Sequence, residues 1–222
     1  MKTITSLKVQ KGNPGRVNVF VDHRYAFAVR LLDASQLEKG QQLSQNEISQ
    51  FQNEDELYKT YRAAINFLAY RQRSQKETER HLKYKGFLPD MIGQTIERLR
   101  DEKYLNDFEF SRIWLKSRKR RNPLSKSALR FELKQKGVDE KIIKEVLMDV
   151  DDDELARLCA EKKLKRLGNL TPKDFKKKIL RYLKGRGFSF EVSLNAYRHV
   201  RSLLDQTQGP ASEGEDLTSN CE

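Results

Sequence analysis

The sequence predicts a mainly α-helical protein, in which three tandem three-helix repeats form an elongated curved array behind a small β-rich N-terminal module. One observation is a phrase, Leu-Lys-x-(Lys/Arg)-Gly-apolar, that recurs in HLKYKGF (81–87), ELKQKGV (132–138) and YLKGRGF (182–188). The chain around these phrases carries apolar residues at helical spacing, whereas residues 3–30 contain the β-rich runs that are typical of strands. Repeats of about 50 residues, each one supersecondary unit, stack on their neighbours into an array.

Residues 1–55 are predicted to form the β-rich module. The runs ITSLKVQ, VNVFVD and YAFAVR are typical of strands, and the segment KGNPG and the pair Asp22-His23 separate them as turns. A turn at Gly40 then precedes a short helix that begins near Ser44. The module therefore combines a few strands with one short helix.

The helical part is predicted over residues 56–205, divided at about 56–103, 104–150 and 151–205. In the first repeat, two pairs have the spacing of a capping box and predict helix starts: Asn53 with Glu56, and Ser74 with Glu77. A third helix is expected to start at Leu88-Pro89, because proline is favoured in the first turn of a helix.

The same order of three helices recurs twice. In the second repeat, helices are expected from Asp107, from Ser125 to Lys136, and along a stripe of apolar residues at Ile142, Ile143, Val146 and Val150. In the third repeat, helix starts are expected after the acids 151–154, at the cap Thr171-Pro172-x-Asp174, and before Val192, Ala196 and Val200. Residues 206–222 are rich in Gly, Ser and acids and are predicted to be a disordered acidic tail.

The repeated phrase itself is interpreted as a helix stop. If Gly86 occupies the left-handed position just past a helix end, Leu82 and Phe87 fall where a Schellman motif places its apolar contact. The pairs Leu133 with Val138 and Leu183 with Phe188 repeat this arrangement around Gly137 and Gly187. The alternative is that the lysines of the phrase contact phosphates.

Charge is the strongest global indication of a partner. The 222 residues carry a formal net charge of +12 with a pI of 9.6, which indicates a polyanion or an acidic protein surface as the partner. Basic residues crowd residues 162–187, whereas no Lys or Arg follows Arg201. No apolar run is long enough to span a membrane, and Cys159 and Cys221 form no metal or disulfide pattern. A cytoplasmic location is therefore expected.

Three basic clusters are the candidate sites for a partner or a nucleic acid. They are Arg71 and Arg73; Arg118, Lys119, Arg120 and Arg121; and Lys176, Lys177, Lys178, Arg181, Lys184 and Arg186. The alternative for each cluster is a solvated surface or a favourable interaction with a helix C-terminus. Aromatic residues such as Tyr104 and Trp114 are expected to belong to the core, because they lie at helical spacing beside leucines.

No catalytic constellation is found in the sequence. The acids 151–154 are consecutive, so on a helix they point in different directions, and they suit a helix N-terminus. The histidines are scattered, and no phosphate-binding loop pattern is present. We therefore expect neither an enzyme, nor a metal, nor a cofactor.

Several of these segments resemble the RecX family of bacterial RecA regulators. AINFLAYRQRSQKETERHLKYKGF (64–87) is similar to the first RecX repeat, and KYLNDFEFSRIWLKSR (103–118) is similar to the opening of the second. ELKQKGV and YLKGRGF match the later helix stops of the family. The resemblance covers residues 60–204, and residues 1–55 resemble the N-terminal extension of longer members. RKRRNPLSKS lacks the glycine that many members carry in this loop.

The resemblance implies a non-enzymatic modulator of RecA. Members of the family bind RecA in the groove of its filaments on single-stranded DNA and limit filament growth, strand exchange and ATP hydrolysis. Weak direct binding to DNA is a second expectation from the family, and we expect a monomer. From the residues alone, the alternative is a DNA-binding protein of the helix-turn-helix type. A nucleic-acid enzyme is a third hypothesis, but it would need a metal or base cluster that the sequence does not show.

Overall fold

The computed structural model describes residues 1–167 and 170–207. Within these residues the chain forms four strands and ten helices and divides into two compact units, one of residues 1–106 and one that begins at Asp107. The predicted class, mainly helical with a small N-terminal strand module, is confirmed.

The N-terminal module is a four-stranded antiparallel sheet. It contains β1 (Lys2–Gln10), β2 (Asn13–Val21), β3 (Arg24–Arg30) and β4 (Gln42–Leu43) in the order β3-β2-β1-β4. Asp22 and His23 form the predicted two-residue turn, and both have positive φ angles (48° and 64°), as a type I′ turn requires. One side of the sheet is buried, with Ile4, Val19 and Phe27 in its core.

Two helices follow the sheet: α1 (Leu31–Ala34) and α2 (Gln45–Ala69). Ser44 caps α2 through a capping box with Glu47, so the predicted start near Ser44 is confirmed. The predicted helix start at Asn53 is wrong, because α2 is continuous through this position. No glycine or proline interrupts residues 45–69, and a helix that is already capped has no reason to restart.

The first repeat is completed by α3 (Gln75–Tyr84) and α4 (Pro89–Asp101), which pack on α2. Ser74 and Glu77 form the predicted capping box, and Pro89 lies in the first turn of α4 as predicted. Ala64, Leu82 and Leu99 lie in the buried core that the three helices share.

In the part of the second unit that the structure describes, six helices surround one core. They are α5 (Asp107–Arg121), α6 (Lys126–Gln135), α7 (Glu140–Val146), α8 (Asp152–Leu167), α9 (Pro172–Lys184) and α10 (Phe190–Thr207). Their shared core includes Leu133, Ile143, Cys159, Ile179 and Val200.

Three boundaries differ from expectation or stay open. Val150 lies beyond the end of α7, because the chain turns after Val146 toward α8. The predicted disordered tail from 206 lies outside the described residues from 208 onward, and residues 206 and 207 belong to α10. The predicted domain boundaries stay a prediction.

The three predicted helix stops are Schellman motifs. Gly86 has φ of 86°, the N–H of Phe87 donates to the carbonyl of Leu82 (3.3 Å), and the N–H of Gly86 donates to that of Lys83 (3.0 Å). The same pair of bonds recurs around Gly137 and Gly187, whose φ angles are 77° and 85°. The interpretation of the phrase as a helix stop is confirmed.

Candidate functional site

The outward side of α9 is a row of cations. Phe175, Ile179 and Leu183 are buried, and successive helical residues are about 100° apart, so the residues opposite them face solvent. We name this row the α9 basic face; its members, all exposed, are Lys173, Lys177, Arg181 and Lys184.

The cations of α9 lack ion-pair partners among the described residues. The four members of the face form no salt bridge there, and neither does Lys178 beside them, while Lys176 Nζ lies 5.8 Å from the ring of Tyr197. Asp174 is the acidic residue of α9; its carboxylate accepts a hydrogen bond from the Thr171 hydroxyl, and its backbone N–H donates to the same hydroxyl oxygen at the helix start. The face therefore presents uncompensated positive charge along a helix about 20 Å long.

Sequence reasoning found most of this face but not its first member. Lys173 is not among the predicted candidate residues; it lies at the helix start, apart from the run 176–178. Its spacing of four residues from Lys177 and eight from Arg181 is the signal that could have found it.

Arg186 is turned into the fold. Its guanidinium lies 3.9 Å from the centre of the Tyr182 ring and donates to the side-chain oxygen of Asn122. Its carbonyl accepts a hydrogen bond from the N–H of Ser125 at 3.1 Å. Arg186 thus joins the turn after α9 to the loop before α6, which weighs against its use as a partner contact.

Arg118 also has a structural partner. It pairs with Glu132 through Nε (2.8 Å) and a terminal nitrogen (2.7 Å), and it lies 4.6 Å from the Trp114 ring. The indole N–H of Trp114 donates to the same carboxylate at 2.9 Å. This cluster satisfies the polar end of the tryptophan and links α5 to α6.

The other residues of the 118–121 run are more accessible. Lys119 pairs with Glu154 at 2.6 Å across half-exposed side chains, an arrangement that contributes little to stability. Arg120 and Arg121 are exposed at the end of α5 and have no side-chain ion pair among the described residues. Of this run, these two are the residues that remain available to a partner.

Arg71 and Arg73 flank the turn before α3. Arg71 pairs with Glu77 at 3.0 Å, so it supports the capping box. The Arg73 guanidinium lies 4.2 Å from the Phe67 ring, on which the ring of His81 stacks with a centroid distance of 3.9 Å. Burial, then the charges of Lys85 and Arg73, lower the pKa of His81. Burial and the charge of Arg71 likewise lower the pKa of Arg73.

A groove between α3 and α4 is a site that sequence reasoning missed. Its volume is about 650 Å³, its floor is apolar with Phe87, Ile92 and Ile96, and its rim is charged. The rim residues are Lys76, Glu79, Arg80, Lys83, Glu97 and Arg100. The signal was the spacing of Lys76, Arg80 and Lys83, which puts three cations on one side of α3.

The aromatic residues and the acids 151–154 do not form a functional site among the described residues. Phe110 is buried, but Tyr104 is 58% exposed, so the expectation that it belongs to the core is wrong. Asp151 and Asp152 accept hydrogen bonds from the backbone N–H groups of Asp153 and Lys126. Over the described ranges, no cluster of His, Cys, Asp and Glu has the arrangement of a metal site. None of the helices described is long and apolar enough to cross a bilayer.

Comparison with known proteins identifies related sequences in the strand module and in each of the three groups of helices. Family profiles match four segments, described as the Regulatory protein RecX N-terminal domain (2–44) and the first (61–99), second (106–147) and third (151–196) three-helix domains of RecX. The segments follow the strand module and the three groups of helices, which confirms the predicted three-helix repeats.

Individual proteins agree with these profiles. Regulatory protein RecX of Bacillus subtilis (strain 168) is 39% identical over 213 residues, which cover 94% of this chain and 78% of that protein. Its counterpart from Listeria monocytogenes serovar 1/2a is 33% identical over 224 residues, covering 99% and 82%. A crystal structure of regulatory protein RecX shares the fold, with a TM-score of 0.66 and 24% identity over 91% of this chain and all of the other. This chain belongs to the RecX family of regulatory proteins.

Proposed function

We propose that this protein binds RecA and RecA–single-stranded DNA filaments and mostly inhibits their recombinase and ATPase activities in DNA repair and recombination. Membership of the RecX family implies regulation of RecA. Inhibition as the direction of the effect and binding to RecA filaments are the two points that we propose. Both are motivated by the resemblance to RecX proteins. We further propose that the protein acts as a monomer in the cytoplasm, without catalysis and without a cofactor.

The observation that carries the proposal is the α9 basic face. Exposed lysines and arginines without internal partners keep their hydration and their counterion interactions until an anion replaces them. Such a row suits a phosphodiester backbone, and contacts of this kind position a protein on nucleic acid without reading its sequence. A regulator that acts on filaments over any DNA sequence needs this kind of contact.

The test is a titration of the ATPase activity of RecA on single-stranded DNA. Full-length protein is expected to depress ATP hydrolysis, and the variant K177Q/R181Q/K184Q is expected to need a higher concentration for the same effect. A control with the same charge change, K116Q/K141Q/K144Q, alters exposed lysines elsewhere in the second unit and is expected to behave as wild type. If wild-type protein at stoichiometric ratios leaves ATP hydrolysis unchanged, the proposal is wrong.

Direct action on DNA is the second candidate, and the α9 basic face also favours it. Base readout by a helix-turn-helix is disfavoured, because the third helix of each repeat starts with an acid: Asp90 in α4, Asp139 before α7 and Glu191 in α10. Direct binding would therefore involve the backbone of DNA. Inhibition of a DNA-dependent ATPase unrelated to RecA, with equal potency, would favour this candidate.

A further inference from the structure

The groove between α3 and α4 differs from the same region of the second repeat. When the repeats are aligned on Gly86 and Gly137, Lys83 corresponds to Lys134 and Pro89 to Glu140. In the second repeat, Glu140 pairs with Lys134 at 3.1 Å and also with Arg130, so one carboxylate joins α6 to α7. In the first repeat the proline cannot do this, and Lys83 has no ion-pair partner among the described residues.

Gly93 is a second difference, and the fold offers no internal reason for it. It lies inside α4 and lines the groove, although glycine inside a helix costs about 1 kcal/mol relative to alanine. A Cβ atom at this position would meet nothing within 4 Å, so no neighbouring side chain or backbone of the chain requires its absence. The corresponding residue of the second repeat is Lys144. A bare stretch of helix backbone is what an incoming segment needs for close approach.

The groove has the chemistry of a protein-binding site. Its floor of Phe87, Ile92 and Ile96 rewards apolar side chains, which a phosphodiester backbone does not have. Glu79 and Glu97 on the rim would repel phosphates, whereas the α9 basic face contains no acid. The cations still outnumber these two acids on the rim, so the complementary ligand carries net negative charge.

We propose that this groove is the docking site for an acidic amphipathic segment of the protein partner. Apolar residues of the segment, a few positions apart, lie on the floor next to Gly93, and its carboxylates face Lys83 and Arg100. The identity of the partner as RecA rests on the proposed function. In this scheme the α9 basic face binds phosphates and the groove binds the protein partner.

Filling the groove is the direct test. Gly93→Trp projects a large ring into the open space, and Gly93→Ala adds a single methyl group that leaves most of the groove open. Binding of the full-length variants is measured by biolayer interferometry to RecA alone and to RecA filaments on single-stranded DNA. We expect Gly93→Trp to weaken binding at least about tenfold in each form that the wild type binds, and Gly93→Ala, which adds one methyl group at the point of close approach, to weaken it by a smaller factor.

Matched variants separate the groove from general effects. Lys144→Trp puts the same ring at the corresponding position of the second repeat and is expected to leave binding unchanged. Lys83→Glu is expected to weaken binding to RecA, while Lys144→Glu changes the net charge equally without doing so. Far-ultraviolet circular dichroism and thermal unfolding establish that each variant is folded. A parallel titration with a single-stranded oligonucleotide is expected to give the same affinity for Gly93→Trp as for wild type.

Each other outcome overturns part of the scheme. If wild type binds RecA and Gly93→Trp binds equally well, the groove proposal is wrong and the proposed function stands. If wild type binds neither form of RecA, the proposed function is wrong and the groove proposal is wrong with it. Equal losses for RecA and for the oligonucleotide would make the groove a nucleic-acid site. A concentration-dependent dimer that Gly93→Trp abolishes would make the occupant a second copy of the chain.

Discussion

Gly86 and Gly93 are two glycines of one repeat that occupy opposite conformations. Gly86 has φ of 86°, in the left-handed region, and ends α3. Gly93 lies inside α4 with no positive φ angle. A Cβ atom would meet nothing within 4 Å at either position, so steric crowding does not distinguish them. The backbone conformation therefore determines whether an added methyl group raises or lowers the free energy of unfolding.

The two substitutions to alanine are expected to have opposite signs. Gly86→Ala should lower the free energy of unfolding by about 1–2 kcal/mol, because an L-residue is strained in the left-handed region. Gly93→Ala should raise it by about 0.5–1 kcal/mol, because alanine is favoured inside a helix. Urea unfolding followed by circular dichroism measures both. Equal signs would contradict the assigned backbone conformations.

His81 should give a pH-dependent stability at the residue scale. Burial, followed by the nearby charges of Lys85 and Arg73, lowers the pKa of His81 below its ordinary value of 6.5. The unfolded chain therefore binds this proton more readily than the folded chain does. His81 leaves stability unaffected well above pH 6.5 and reduces it as pH falls through 6.5 toward the folded pKa.

The measurement compares wild type with His81→Gln between pH 8 and pH 5. Wild type should lose more stability on acidification than the variant, since glutamine has no proton to gain. An NMR titration of the wild-type ring should give a pKa below 6.5, and Arg73→Gln should move it upward. A ring that titrates above 6.5 would contradict the assigned environment.

For single residues, the sequence predicts backbone conformation better than it predicts side-chain contacts. The glycines of the repeated phrase were predictable, because local spacing determines a Schellman motif. The pairing of Arg118 with Glu132 and the hydrogen bond from Arg186 to Asn122 were not, since they depend on how segments distant in sequence pack. The five basic residues predicted on α9 itself were predictable, because periodicity alone identifies an exposed helix face, and they form no salt bridge among the described residues. Arg186 lies past the end of α9.

At the scale of elements, α2 joins the sheet to the first repeat through a buried ionic network. Asp55 of α2 accepts hydrogen bonds from the Arg16 guanidinium, from the Tyr25 hydroxyl (3.0 Å) and from the N–H of Ala28 (3.2 Å). Lys59 lies 3.0 Å from the same carboxylate. Burial, then the charge of Asp55, raises the pKa of Tyr25, so the hydroxyl stays a donor.

Removal of this carboxylate should be costly. Asp55→Ala leaves the Arg16 charge buried without its partner, and we expect a loss of about 3–5 kcal/mol in the free energy of unfolding. Lys119→Ala breaks a half-exposed pair instead and should cost less than about 1 kcal/mol. Chemical denaturation of both variants tests the contrast. Similar small losses would show that the network contributes little.

The network involves the stretch at which a helix start was wrongly predicted, at Asn53. The pair Asn53 and Glu56 has capping-box spacing, but the same stretch carries Asp55, which is buried against the sheet. Sequence periodicity gives no sign that a carboxylate will be buried, because its partner Arg16 lies on a distant strand. A truncation after residue 55 would divide α2 and remove Asp55, so point variants are the better probes of the N-terminal module.

At the scale of the whole molecule, the net charge of +12 indicated an anionic partner without locating it. Many of the basic residues are engaged in pairs, as Arg71 is with Glu77 and Arg98 is with Glu102. The charge that remains uncompensated on α9 is the part that an anion can use. Which basic residues form ion pairs and which do not is determined by folding, so composition alone could not predict it.

The salt dependence of binding to single-stranded DNA tests whether the α9 basic face contacts phosphates. Each neutralised phosphate releases bound counterions and contributes about −0.7 to the slope of log affinity against log salt concentration. The variant K173Q/K177Q/R181Q/K184Q should therefore bind more weakly at low salt, with a slope shallower by up to about 3. Fluorescence anisotropy of a labelled oligonucleotide over a range of salt concentrations gives both the affinity and the slope.

The control K116Q/K141Q/K144Q has a similar loss of net charge but keeps the α9 basic face, so it should retain the wild-type slope. Equal slopes for all three proteins would exclude phosphate contacts by α9 and leave its cations to an acidic protein surface.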